Sequence, residues 1–82
     1  MEGFVTDRVA KVFADVLQID ASAIRDDTSP DNTPQWDSMA AVNLVLAIED
    51  EFDVKLSTKE IVSMRSIEIV RKVLRSKGVA DV

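Results

Sequence analysis

Apolar positions recur at helical spacing in four places along this chain, and in one of them they recur on two sides at once. In residues 4–17, Val5, Val9, Val12 and Val16 share a stripe with Phe13 and Leu17 beside it, the one-sided pattern of a helix laid on a core. Its β-branched valines lower intrinsic helix propensity, so packing must supply most of its stability. Phe4, Phe13 and the later Phe52 are expected to supply much of the core volume. The run over 38–52 opens after Asp37, a good N-cap, and continues without Gly or Pro to Phe52. There Ala41, Leu44, Val45, Ile48 and Phe52 form one stripe, while Met39, Val42 and Leu46 form a second on roughly the opposite side. Ser57-Thr58-Lys59-Glu60 reads as a capping box opening a short helix over 58–62, with Ile61 and Val62 apolar. Ser66 then caps a last helix over 67–76, whose Ile67, Val70, Val73 and Leu74 face inward and which Gly78 stops. The tail at 79–82 is expected to fray.

The connection over 18–37 breaks these patterns. Asp20-Ala21-Ser22-Ala23-Ile24 predicts one helical turn capped by Asp20 and anchored by Ile24. Asp26 to Trp36 is rich in Asp, Ser, Thr, Asn and Pro, the residues of turns and loops. A loop of this length in so small a protein is functional or disordered, and here it delivers the chain to Ser38. Trp36 is read as a buried latch for the loop, the competing reading being a contact beside whatever Ser38 carries. The prediction is therefore all-α: one domain over 1–82, a small four-helix bundle of three main helices and one short one, with a long loop between the first and second.

Bulk properties narrow the chemistry. With 82 residues the core is near the lower size limit for one without staples, and the chain has no Cys and no His. A Ser-His-Asp nucleophile, a disulfide framework and the ordinary zinc ligand sets are excluded. The acids at 49–53 lack the alternating oxygen ligands and central Gly of a calcium loop, and four small helices offer little cleft for a carboxylate-pair hydrolase. No metal site and no catalytic residue are predicted, and the chain reads as a protein that bears a substrate, not an enzyme. No apolar run approaches the ~18 residues of a membrane span, and no signal-peptide pattern is seen, which predicts a soluble, cytoplasmic protein; a monomer is expected.

The net charge of −5 conceals an asymmetry. Residues 26–54 hold eight acids and no Lys or Arg, whereas residues 55–77 hold seven bases against Glu60 and Glu68. The acidic half disfavours nucleic acid and favours basic patches on partner proteins. Its acids Glu49 and Asp50, with Asp53 at the edge, border the second stripe of the central helix. A helix on a small domain needs one apolar face, so Met39, Val42 and Leu46 read as a surface kept for a partner, the alternative being cover by a neighbouring helix. Ser38 stands at the N-terminal rim of that stripe, where unpaired N–H groups and the helix dipole tolerate a phosphodiester.

Trp36-Asp37-Ser38-Met39, followed by a helix ending Ala47-Ile48-Glu49-Asp50-Glu51-Phe52-Asp53-Val54, resembles the acyl carrier proteins and related carrier domains. The resemblance covers roughly residues 4 to 76. It implies a covalent 4′-phosphopantetheine on Ser38, taken from coenzyme A by a phosphopantetheinyl transferase and holding acyl groups as thioesters. Asp37 is implied to help bind the transferase's magnesium, and is otherwise a plain helix cap. Met39, Val42, Leu46, Glu49 and Asp50 are implied to dock acyl-loading and acyl-processing enzymes with basic patches. Asn43 stands where members serving fatty-acid synthesis commonly have an acid, and Trp36 is more like carriers of polyketide or other specialised pathways. An aminoacyl or peptidyl carrier and a non-enzymatic helical adaptor binding through Met39, Val42 and Leu46 are the competing readings. Substitutions at Leu46 and Glu49 are expected to leave stability nearly unchanged.

Overall fold

In the computed structural model, residues 7–79 and Val82 are described. Among them there are four helices and no strand: α1 (Arg8–Leu17), α2 (Ser38–Phe52), α3 (Thr58–Ser63) and α4 (Ile67–Ser76). A single 3₁₀ turn at Ala21–Ala23 interrupts the connection between α1 and α2. This is the expected all-α bundle of three main helices and one short one.

Side-chain caps fix each helix start. Asp37 Oδ1 accepts from the Ala40 N–H at 2.9 Å to open α2. Ser57 and Glu60 close a reciprocal capping box on α3, and Ser66 Oγ accepts from the Ile69 N–H on α4. Glu60 also pairs with Lys77 at 2.9 Å, and the Ser57 N–H followed by that ammonium holds its carboxyl below the usual range. The helix expected from residue 4 begins later. Asp7 is extended (φ −82, ψ 96) and its carboxylate accepts from the Ala10 N–H, so α1 cannot run unbroken through it. Phe4 and Val5, assigned to that helix from sequence, lie outside the described residues.

The core is the shared interior of α1, α2 and α4. Val9, Phe13 and Leu17 meet Leu44, Ile48 and Phe52, and Ile67, Val70 and Leu74 close the third side. Trp36 is buried against this core, with its ring 5.1 Å from that of Phe13 in an edge-on arrangement, as a latch requires. Met64, just after α3, is buried in the same cluster and anchors the short helix.

The long loop is built from specific hydrogen bonds. Asn32 accepts from the Ser29 N–H and donates to the Asp27 carbonyl, and Thr28 Oγ1 accepts from the Arg25 N–H. The Thr28 and Asp26 carbonyls accept from the Ile67 and Glu68 N–H groups, so the loop satisfies the open amides at the start of α4. Arg71, on the flank of α4, completes the closure. Its guanidinium donates to both carboxylate oxygens of Asp7 (3.1 and 2.8 Å) and to Asp26 (3.1 Å). One half-buried side chain thus ties the α1 start, the loop and α4 together. Arg8 makes a second tie, donating to the Glu51 carboxylate and carbonyl while lying over the Phe52 ring.

Candidate functional site

Helix α2 carries two apolar faces with opposite fates. Leu44, Ile48 and Phe52 are buried, and Ala41 and Val45 are half-buried at the margin. Met39, Val42 and Leu46 are 74, 58 and 60% exposed. Among the described residues, no neighbouring helix covers the second stripe. Ile61 and Val62 of α3 add to the exposed apolar surface across a shallow groove.

Ser38 is the first residue of α2 and is exposed. Because Asp37 takes the Ala40 N–H, and the Ala41 N–H pairs with the Asp37 carbonyl, the N–H groups of Ser38 and Met39 are left without a partner among the described residues. Ser38 therefore presents its hydroxyl to solvent beside open amide donors at the positive end of a 15-residue helix. It also edges a groove of about 310 Å³, lined by Trp36, Asp37, Ala41, Ile61, Val62, Met64 and Arg65 among others. An open hydroxyl, free amides and a groove of mixed polar and apolar lining fit a phosphate-linked flexible arm. The void among Phe13, Trp36, Leu44 and Met64 is far smaller, about 30 Å³ against about 310 Å³ for the groove.

The acids of α2 are not equivalent. Asp50 and Asp53 are exposed beside Leu46. Glu49 is half-buried, and its Oε2 accepts from the Leu56 N–H at 2.8 Å. It is therefore a clamp on the chain leaving α2, where Asp53 turns left-handed (φ 53) and its N–H donates to the Glu49 carbonyl. The pattern reading gave Glu49 only a surface role. An i to i+7 contact of this kind depends on how the chain turns after the helix, which helical spacing does not encode. Arg65 was missed for a similar reason, since only folding brings it to the groove that Ser38 also lines. Among the described residues, no group of three or more acids is placed to hold a metal ion, and no helix is long and apolar enough to cross a membrane.

A hydroxyl displayed to solvent at a helix start above a groove is a point at which a group can be attached and carried. Comparison with known proteins agrees. Residues 7–74 match the family model described as the phosphopantetheine attachment site. The chain is 33% identical over 63 residues to an acyl carrier protein of Clostridium acetobutylicum, covering 77% of this chain and 82% of that one. It is 28% identical over 71 residues to polyketide-8 synthase acyl carrier protein 2 of Streptomyces avermitilis, covering 87% and 82%. The chain belongs to the phosphopantetheine-attachment family of acyl carrier proteins. Proteins of this family are non-catalytic; they bear a covalent 4′-phosphopantetheine and serve the transferase that installs it and the biosynthetic enzymes that use it.

Proposed function

We propose that Ser38 carries the 4′-phosphopantetheine arm and that the chain presents acyl groups from there to the enzymes of a fatty-acid or polyketide pathway. The observation that carries this reading is the exposed Ser38 hydroxyl at the first position of α2, beside two unpaired amides and an open groove. When bound, the arm supplies the thiol that the chain lacks, and that thiol holds the acyl group as a thioester. The chain's own residues position the attachment point. Asp37 caps the helix through Oδ1, and its second oxygen stays available to the transferase's magnesium. Trp36, packed on Phe13, fixes the approach of the loop to Ser38.

Met39, Val42 and Leu46 form the docking surface, with Asp50 and the free side of Glu49 as its acidic edge and Asp53 at its periphery. Partners with basic patches around an apolar recess fit it, and the small apolar area with salt-screened charges gives the fast, weak binding a shuttle needs. The reading places a single 1–82 domain in the cytoplasm as a monomer. Asn43, Trp36 and the polyketide carrier among its relatives favour a specialised pathway. The family match tells against the helical-adaptor alternative.

The test is incubation with coenzyme A and a broad-specificity phosphopantetheinyl transferase. Intact mass rises by one phosphopantetheine unit in the wild-type chain and not in Ser38→Ala. A gain retained by Ser38→Ala would move the attachment elsewhere, and none in either would remove the reading.

A further inference from the structure

Loading Ser38 places a negative charge in a segment already dense with acids. Residues 26–54 contain eight carboxylates and no Lys or Arg, and Asp37 is the immediate neighbour of the attachment point. The amides at the start of α2 offset part of that charge. Any cation must come from elsewhere in the chain. Of the residues lining the groove at Ser38, only Arg65 is cationic.

Arg65 is suited to respond. Its backbone is held in place: the Arg65 N–H donates to the Ser63 carbonyl at 2.9 Å, the preceding Met64 is buried in the core, and Ile67 two residues on is fully buried. Its guanidinium, in contrast, is loosely engaged. Its ion-pair partner among the described residues is Asp31, at 3.7 Å, with the two side chains 64 and 84% exposed. At that distance and exposure there is no hydrogen bond, and solvent screening leaves the attraction weak. A guanidinium forks onto phosphate oxygens with two parallel bonds, which a carboxylate held at 3.7 Å does not receive here.

We propose that Arg65 is the positioning residue for the phosphodiester on Ser38, resting against Asp31 before loading and moving onto the phosphate oxygens after it. This rests on Ser38 being the attachment residue. It goes further by assigning an anion-binding role to a side chain outside both the attachment motif and the docking stripe. The consequence is directional: with its phosphate held toward α3, the arm starts along the groove walled by Ile61, Val62 and Met64 and not along the exposed ridge of α2.

The experiment follows the Arg65 Nε–Hε resonance of isotope-labelled protein before and after treatment with coenzyme A and a broad-specificity transferase, with intact mass recorded on the same samples. Loaded protein should show a shifted Arg65 signal with slower exchange with water, and high salt should reverse both changes. The phosphorus resonance of the loaded protein should move in Arg65→Gln and return toward the wild-type position in Arg65→Lys. Asp31→Asn should leave the loaded-state signal intact. A mass gain at Ser38 with an unmoved Arg65 signal, or with a phosphorus resonance indifferent to Arg65→Gln, overturns the proposal and leaves the attachment reading standing. Loss of the loaded-state Arg65 signal in Asp31→Asn also overturns it, and absence of any mass gain overturns both.

Discussion

Arg71 is the side chain whose removal should be felt most widely outside the core. It makes two charge-assisted hydrogen bonds to Asp7 and one to Asp26, and its own side chain is only 15% exposed, against 38% for Asp7 and 69% for Asp26. An exposed ion pair is worth about 0.2–1 kcal/mol, while breaking a buried one costs about 3–5 kcal/mol. The Asp7 pair lies between these limits and the Asp26 contact at the lower one, so Arg71→Met, which keeps the apolar stem, should cost about 2 kcal/mol. In a chain of this size each kcal/mol shifts Tm by about 4–8 °C, which gives a fall of roughly 8–16 °C.

Denaturant unfolding followed by circular dichroism measures the loss, and a double-mutant cycle with Asp7→Asn and Asp26→Asn divides it between the two contacts. Coupling to Asp7 should be clearly the larger. A coupling to Asp7 no greater than that to Asp26 would refute the reasoning, because it would make the bidentate, half-buried geometry energetically irrelevant. The pH dependence gives an independent check. The Arg71 guanidinium, opposed in part by burial, holds the Asp7 carboxyl below its usual value. In that case the unfolded state binds the proton more readily, so the contribution is complete above the unfolded pKa of about 3.9 and is lost as pH falls through the lowered folded value. Arg71→Met should flatten that acid limb and leave the neutral-pH plateau lower but parallel.

Two further predictions address α2. Leu44 and Leu46 are 2 and 60% exposed; Leu44→Ala should cost about 2–5 kcal/mol in thermal or denaturant unfolding, whereas Leu46→Ala should stay within about 0.5 kcal/mol and instead raise KM with a partner enzyme. Glu49→Ala should cost about 1 kcal/mol because the Leu56 N–H loses its acceptor, contrary to the sequence expectation of near-neutrality; Glu49→Gln keeps an acceptor, so it should retain stability while slowing docking at low salt, and equal destabilisation by both variants would contradict the clamp.

Local rules made much of this fold readable. Asp20, Asp37, Ser57 and Ser66 cap the turns they were expected to cap, because a capping side chain needs only the amides two or three residues ahead of it. The open ridge of α2 was legible because two apolar stripes cannot both face one core. The same rule misled at α1, where Phe4 and Val5 continue an apolar pattern past Asp7 and conceal the cap. The Arg71 closure joins residues 64 and 45 positions apart. Nothing in the α4 pattern says that an arginine next to buried Val70 turns inward along the bundle flank and not into water. Glu49 and Arg65 escaped for the same reason: their contacts depend on where the chain goes after a helix ends.

The distribution of ion pairs connects stability to function in this molecule. Among the described residues the bases Arg8, Arg65, Arg71 and Lys77 pair with Glu51, Asp31, Asp7, Asp26 and Glu60. None reaches Asp37, Glu49, Asp50 or Asp53, the acids bordering Ser38 and the exposed ridge. An unpaired surface carboxylate adds little to folding, and several close together repel. The closing ion pairs use Asp7, Asp26, Asp31, Glu51 and Glu60, and the proposed docking acids Asp50 and Asp53 take no part in them. On the docking surface proposed above, changing Asp50 or Asp53 should alter binding without opening the bundle, whereas Glu49, which also holds the Leu56 N–H, is the position where the proposed docking and stability meet.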